Sequence, residues 1–329
     1  MKKLEHSRIL ITGGAGFIGS NLVEKFLAQD NEVVVLDNFS TGKRENLQPF
    51  AENKNFKLIE GDIRNITQCR DAVDGVDYVL HQAARGSVQR SVEDPMLTTS
   101  INIDGFVNML FAAKEAKVKR FVYASSSSVY GDNPALPKME DSIGNALSPY
   151  AVTKQVNELY ARNFHDLYGI DTVGLRYFNV FGKRQNPAGA YAAVIPKFAE
   201  QLIKHQKPVI NGDGSFSRDF TYIDNVLQAN ELAAATEDPA AVNEVYNISQ
   251  GGRMTLLELF ENIRTALSEY DPAIGSIEPL FGPERAGDIP HSQADISKAC
   301  RLLGYQPQKD TKRALQTTMQ YYWKKITAC

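Results

Sequence analysis

Between residues 13 and 19 the chain reads Gly13-Gly14-Ala15-Gly16-Phe17-Ile18-Gly19, and its flanks restrict what this stretch can become. Before it, Arg8-Ile9-Leu10-Ile11-Thr12 is a short apolar run of strand-forming residues. After it, Leu22, Val23, Phe26 and Leu27 share one helical face. A strand, a tight glycine turn and a helix N-terminus in that order aim free backbone N–H groups at one point, as a pyrophosphate requires. A second strand, Glu32-Val33-Val34-Val35-Leu36, ends at Asp37. A carboxylate there accepts hydrogen bonds from an adenosine ribose and repels a 2′-phosphate, so the pattern points to NAD over NADP.

Strand and helix signals then alternate. Strands are expected at 56–59, 78–80, 120–124 and 171–176, with helices at 66–73, 96–116 and 150–168 between them. A parallel sheet covered on both faces is the economical arrangement. Beyond residue 180 prolines and glycines punctuate the chain, with helical stretches near 225–237, 254–269 and 293–303 and a strand at 245–248. This divides the chain into residues 1–180, mainly dinucleotide-binding, and 181–329, a smaller substrate region interleaved with the end of the sheet. There is no internal repeat.

Composition narrows the function classes. With 36 basic and 39 acidic side chains intermixed and a formal net charge of -3, no nucleic-acid or membrane-surface binding is indicated. Apolar runs are strand-sized, and the first residues carry charge without a long apolar segment behind them, so neither secretion nor a membrane span is expected. Cys69, Cys300 and Cys329 have no metal-ligand spacing and form no even-numbered disulfide set, which suits a reducing cytoplasm.

A second chemical signal is Tyr150-Ala151-Val152-Thr153-Lys154, following Ser148-Pro149. Residues four apart share a helix face, and an ammonium beside a phenol favours phenolate. Such a tyrosine can take a proton from a hydroxyl while hydride leaves the same carbon. The run Ser125-Ser126-Ser127-Ser128 follows the strand at 120–124, at the sheet end where ligands of parallel sheets bind. His81-Gln82-Ala83-Ala84 follows another strand, and its alanines allow close backbone approach to a cofactor. His81 has no suitably spaced partner for a metal and reads as a packing or hydrogen-bonded residue.

With these motifs in place, the chain from Ile9 to about Tyr322 resembles the extended short-chain dehydrogenase/reductase family, and within it the nucleotide-sugar 4-epimerases. The resemblance implies a Rossmann-like doubly wound α/β fold with a smaller, mixed C-terminal region that binds a UDP-sugar. It also implies a homodimer and a tightly bound NAD regenerated in each cycle. For the cofactor it implies Gly13, Gly16, Phe17, Ile18 and Gly19 at the glycine turn, and Asp37, Asn38, Ser40, Thr41 and Gly42 after the second strand. Asp62 and Ile63 would meet adenine, while Gln82, Ala83, Ala84, Asn102, Tyr123 and Tyr177 would line or support the cofactor. Ser126, Tyr150 and Lys154 match the catalytic positions, with Tyr150 as the base. On the substrate side the resemblance implies Gly86, Ser87, Ser127, Ser128, Asn179, Ala193, Val194, Asn211, Arg218, Arg285, Asp288 and Ser292.

Two positions refine the reaction and the substrate. Related dehydratases usually carry an Asp-Glu pair after the catalytic hydroxyl, and related decarboxylases a glutamate before Val-Tyr-Gly. Ser126-Ser127-Ser128 offers no carboxylate, which disfavours elimination because a leaving hydroxyl needs an acid. Ser292 stands where a bulky tyrosine narrows the sugar pocket of enzymes restricted to non-acetylated hexoses. The expected reaction is reversible C4 epimerisation of UDP-N-acetylglucosamine and UDP-N-acetylgalactosamine through a 4-keto sugar. The alternatives are the 6-carboxylates of these sugars, plain UDP-hexoses, another NAD-dependent nucleotide-sugar modification and a non-catalytic dinucleotide sensor. Arg85 replaces a usually apolar residue of the N-acetyl subgroup and either meets a C6 carboxylate or points to solvent.

Overall fold

Alternate residues of the first strand enter two different cores: Ile9 and Ile11 pack on one side of the sheet and Leu10 on the other. A strand buried on both faces has no polar side to give to water, so its sequence is continuously apolar. The computed structural model describes residues 3–187, 193–284 and 290–328.

The first half runs β1 (Arg8–Thr12), α1 (Phe17–Leu27), β2 (Glu32–Asp37), β3 (Phe56–Glu60), α2 (Ile66–Val73) and β4 (Tyr78–His81). It continues through α3 (Val88–Glu93), α4 (Pro95–Thr99), α5 (Gly105–Glu115), β5 (Arg120–Ser126), α6 (Pro149–Tyr168) and β6 (Thr172–Tyr177). The second half contains β7 (Val180–Phe181), α7 (Val194–Ile203), β8 (Val209–Asn211), β9 (Ser217–Arg218), β10 (Thr221–Tyr222) and α8 (Ile223–Ala235). β11 (Glu244–Ile248), β12 (Met254–Thr255), α9 (Leu256–Ser268), β13 (Leu280–Gly282) and α10 (Thr311–Thr327) complete it.

Seven strands form one parallel sheet in the order β11-β6-β5-β4-β1-β2-β3. The order reverses between β1 and β4, which opens a crevice at the carboxyl ends of those strands. On one face α1 and α8 contribute Leu22, Phe26, Val226 and Ala233 to the core; on the other α2, α5 and α6 contribute Val73, Met109 and Phe164. The last strand, β11, comes from the second half, so the smaller region is tied into the sheet. That region also has its own core, where Phe198 of α7, Phe260 of α9 and Met319 of α10 meet.

Three elements depart from the sequence expectations. The single helix expected at 96–116 is interrupted by a π-helical turn, Ser100–Asp104. The helix expected at 293–303 reduces to a turn at Ala299–Leu303. α7 contains Pro196, read from sequence as punctuation; it occupies the first helical turn, where a missing N–H costs no intrahelical bond.

Candidate active site

The glycine turn is built by steric exclusion. Gly13 has φ +68°, and a Cβ there would lie 2.8 Å from the Ala83 nitrogen; a Cβ on Gly19 would lie 2.1 Å from the Gly13 carbonyl oxygen. α1 starts immediately afterwards with Gly16 as its N-cap and no side-chain capping bond, so its first-turn N–H groups remain available to a ligand. They face a cleft of about 720 Å³ that Gly13, Gly16, Phe17, Ile18 and Gly19 line at one end. Asp37, Asn38, Ser40, Thr41 and Gly42 line it after β2, Asp62 and Ile63 after β3, and Gln82, Ala83, Ala84, Arg85 and Gly86 after β4.

The acids of this cleft differ in how they are held. The Asp37 carboxylate accepts backbone N–H bonds from Ala15 at 2.9 Å and Phe39 at 2.8 Å. Burial raises its pKa, and those two donors oppose the rise. Asp62 is gripped by the Arg64 guanidinium at 3.0 and 2.7 Å and receives a bond from the Asn38 amide at 2.9 Å. Hydrogen bonding to Arg64 is the main reason its pKa falls to about 2.

At the other end of the crevice, Ser148 caps α6 by accepting from the Ala151 N–H at 3.1 Å, and Pro149 takes the first helical position. This places Tyr150 and Lys154 one turn apart, with Lys154 Nζ 5.9 Å from the Tyr150 ring centroid. Nζ donates to the Ala124 carbonyl at 2.7 Å. Lys154 is only 3% exposed, and burial lowers its pKa to about 8 against the opposing charge of Glu158. The Tyr150 phenol does not follow the sequence expectation: burial raises its pKa, and the opposing influence is a hydrogen bond with Ser126. Ser126 closes β5, and its Oγ accepts from the Ser128 N–H at 3.2 Å and the Ser128 hydroxyl at 3.0 Å. Ser127 begins the short 3-10 turn that follows.

Other expected cofactor residues act from behind the cleft. The Asn102 side chain accepts from the Arg85 N–H at 2.7 Å and donates to Thr153 Oγ1 at 3.1 Å; its carbonyl accepts from Asn157 at 2.7 Å. The π-helical turn thus joins the loop after β4 to α6. Tyr177 donates to Gln82 at 3.3 Å and accepts from Asn230 at 2.9 Å. Tyr123 lies in the core against Phe106, with ring centroids 5.3 Å apart. His81 pairs with Thr12 at 2.9 Å and packs on Phe106 and Phe121; burial depresses its pKa to about 3, leaving the ring neutral.

Candidate substrate residues gather in two places. Asn179, Ala193 and Val194 line a smaller cavity of about 160 Å³ with Phe220, and Asn179 donates to the Asp219 carbonyl at 3.2 Å. Arg218 donates to the Ser217 and Pro290 carbonyls at 3.0 and 3.1 Å, and the Ser292 N–H reaches the Ser217 carbonyl at 3.1 Å, so Arg218 and Ser292 are neighbours. Asn211 ends β8 opposite Gly282 of β13. Ser87 caps α3 by accepting from the Arg90 N–H at 3.2 Å. Arg285 and Asp288 lie outside the described residues.

One network has no simple sequence signature. The Glu158 carboxylate accepts from Arg176 at 2.9 and 2.7 Å and from the Ser125 hydroxyl at 2.5 Å. Arg176 also donates to the Tyr130 hydroxyl at 3.0 Å, and Tyr130 donates to Asn247 at 2.6 Å. Glu158 is four residues beyond Lys154, the only hint in the sequence that it shares the face of the reactive pair.

Residues 9–249 match the family model described as "NAD dependent epimerase/dehydratase family". The chain belongs to this family. A putative UDP-glucose 4-epimerase of Methanocaldococcus jannaschii is 37% identical over 95% of this chain and 97% of its own length. The solved UDP-N-acetylglucosamine 4-epimerase of Methanobrevibacter ruminantium M1, in complex with UDP-N-acetylmuramic acid, has TM-score 0.91 and 39% identity, covering 99% of this chain and all of that one. The UDP-glucuronic acid 4-epimerase of Bacillus cereus, in complex with UDP-glucuronic acid and NAD, has TM-score 0.84 and 33% identity over 96% of this chain and 98% of that one.

The NAD-dependent epimerase/dehydratase assignment fits the residues of the cleft. The uncapped start of α1 suits a diphosphate, and the Asp37 carboxylate, with both oxygens already fixed by backbone donors, suits ribose hydroxyls. Within the Ser125–Ser128 loop no carboxylate is available to protonate a leaving hydroxyl, so this family member is equipped for oxidation and reduction at one carbon.

Proposed function

We propose that this chain interconverts UDP-N-acetylglucosamine and UDP-N-acetylgalactosamine. NAD-dependent C4 epimerisation of a nucleotide sugar is its chemistry, and NAD is its cofactor. The N-acetyl assignment rests on Ser292, which stands beside Arg218 and is smaller than the tyrosine that narrows the sugar pocket of relatives restricted to non-acetylated hexoses. The 39% identity to a UDP-N-acetylglucosamine 4-epimerase supports the same reading.

In this reading Tyr150 removes the proton from the 4-hydroxyl. When bound, NAD supplies a hydride acceptor for C4 and is regenerated each cycle. Ser126, hydrogen-bonded with the phenol, aligns the transferred proton, and Lys154, fixed by the Ala124 carbonyl, holds positive charge near the developing phenolate. Burial pushes the Tyr150 phenol upward, so positive charge beside it favours the phenolate that takes the proton. Once the 4-keto sugar has presented its other face, Tyr150 would return the proton to the C4 oxygen. Residues 1–180 mainly hold NAD, and 181–329 mainly hold the UDP-sugar through Val194, Arg218 and Ser292, with Asn179 joining them from just before the boundary.

The functional unit is a homodimer. Val152, Leu159, Tyr160, Leu167 and Tyr168 form an exposed apolar stripe along α6, Leu159 at 68% exposure, continued by Val92 and Met96 of the adjacent α3 and α4. A second copy would cover this stripe. The free thiols of Cys69 and Cys300 suit cytoplasmic residence. No described helix is long and apolar enough to cross a membrane.

Purified protein incubated with UDP-N-acetylglucosamine, UDP-glucose, UDP-glucuronic acid and UDP-N-acetylglucosaminuronic acid, with products resolved by NMR, tests the reading. Preferential formation of UDP-N-acetylgalactosamine supports it. Faster conversion of either UDP-glucose or a uronate would overturn the substrate assignment.

A further inference from the structure

We infer that Arg85 is a phosphate clamp of the cofactor cleft, its guanidinium pairing with the diphosphate of bound NAD. This inference rests on the NAD-dependent reading above and adds a residue to it. Arg85 is half-buried, lines the large cleft, and its Nε is fully sequestered with no hydrogen-bond partner. A guanidinium is permanently charged and carries five donors, and with its Nε shut from water and unpaired this one is completed by an anion entering the cleft. Arg64 in the same cleft has one in Asp62, which it grips through two nitrogens.

The backbone beneath Arg85 is fixed. Its N–H donates to Asn102 at 2.7 Å, and its carbonyl accepts from the Ser87 N–H at 3.1 Å, so the side chain projects from a braced loop. Two residues earlier, Ala83 is so close to the glycine turn that a Cβ on Gly13 would lie 2.8 Å from its nitrogen. The loop therefore runs beside the uncapped start of α1, where a diphosphate is received. A helix N-terminus offers roughly half a positive charge, less than a diphosphate carries. Arg85 adds one full positive charge to it.

The sugar is the competing source of an anion, through a carboxylate. Placement favours the cofactor: Arg85 shares its cavity with Gly16, Ile18 and Asp37, whereas the cavity lined by Asn179, Val194 and Phe220 does not include it.

The test uses holoenzyme and follows exchange of bound NAD with isotopically labelled NAD. Arg85→Leu should exchange at least about tenfold faster at low ionic strength, the gap narrowing as salt screens the pair. Arg85→Lys, which keeps charge but loses the planar fork, should fall between. ADP-ribose should compete less well for the Leu variant than for the parent, while adenosine, which lacks phosphate, should compete equally. Arg85→Gln provides the same comparison should the Leu variant not fold. Exchange within about threefold of the parent in both neutral variants would overturn the clamp. So would unchanged exchange with a selective loss of turnover on a UDP-uronate, which would assign Arg85 to the sugar. Parent protein that releases no NAD on denaturation would instead remove the functional reading itself, before any variant is compared.

Discussion

Glu158 lies one helical turn beyond Lys154 and receives a 2.5 Å hydrogen bond from the hydroxyl of Ser125, the residue next to Ser126. One buried carboxylate therefore braces the loop that carries the serine and also favours the charged form of the lysine. Its own charge is balanced by Arg176, with the two side chains 12% and 3% exposed. Glu158→Gln should destabilise the protein by about 3 kcal/mol or more, because Arg176 is left buried without a counter-charge. Removing the carboxylate should also lower the Lys154 pKa further below its value of about 8, so the alkaline limb of kcat/KM moves to lower pH. An unchanged limb in a folded Gln variant would separate Glu158 from the reaction.

Tyr150→Phe deletes one hydroxyl and should leave the fold and NAD content intact while reducing turnover at least about a hundredfold. Ser126→Ala should cost less, since that hydroxyl aligns the proton and does not carry the developing charge. Product formation with UDP-N-acetylglucosamine checks both, and a Phe variant within about threefold of the parent would exclude Tyr150 as the base.

His81 makes folding sensitive to acid. Burial holds its pKa near 3, against an ordinary 6.5, so between these values the unfolded chain takes up a proton that the folded protein refuses. Its contribution to stability is complete above pH 6.5 and is lost progressively as pH falls towards 3. The Tm of the parent should drop across that window. His81→Asn should have a lower Tm throughout but a shallower dependence, and parallel curves would show that other groups govern the acid transition.

Ser292→Tyr should penalise N-acetylated sugars selectively, because an added ring would compete with the acetamido group for space. The ratio of kcat/KM for UDP-N-acetylgalactosamine to that for UDP-galactose should fall roughly tenfold or more, about 1.4 kcal/mol of discrimination. Equal losses on both would place Ser292 away from C2.

The features legible in the sequence were those written locally. The β1–Gly13–α1 turn, Asp37 at the end of β2, and the Tyr150–Lys154 spacing each lie within one short segment, and each is found as read. Features set by distant partners were not. The break at Ser100–Asp104 serves contacts to Arg85 and Thr153 that no local pattern encodes, and Tyr123 enters the core because of which face of β5 meets Phe106. The upward shift of the Tyr150 phenol is a balance between burial and a hydrogen bond with Ser126, neither of which the spacing encodes. α10 could have been found: Ala314, Leu315, Thr318, Met319 and Tyr322 are buried at helical intervals.

α6 turns Tyr150, Lys154 and Glu158 towards the end of β5, Ala161 and Phe164 into the core, and Val152, Leu159 and Tyr160 outward in an apolar stripe. Hardly any aspect of this helix is free of a task. Substitutions along its 20 residues should be tolerated best at exposed polar positions such as Arg162, Asn163 and Asp166.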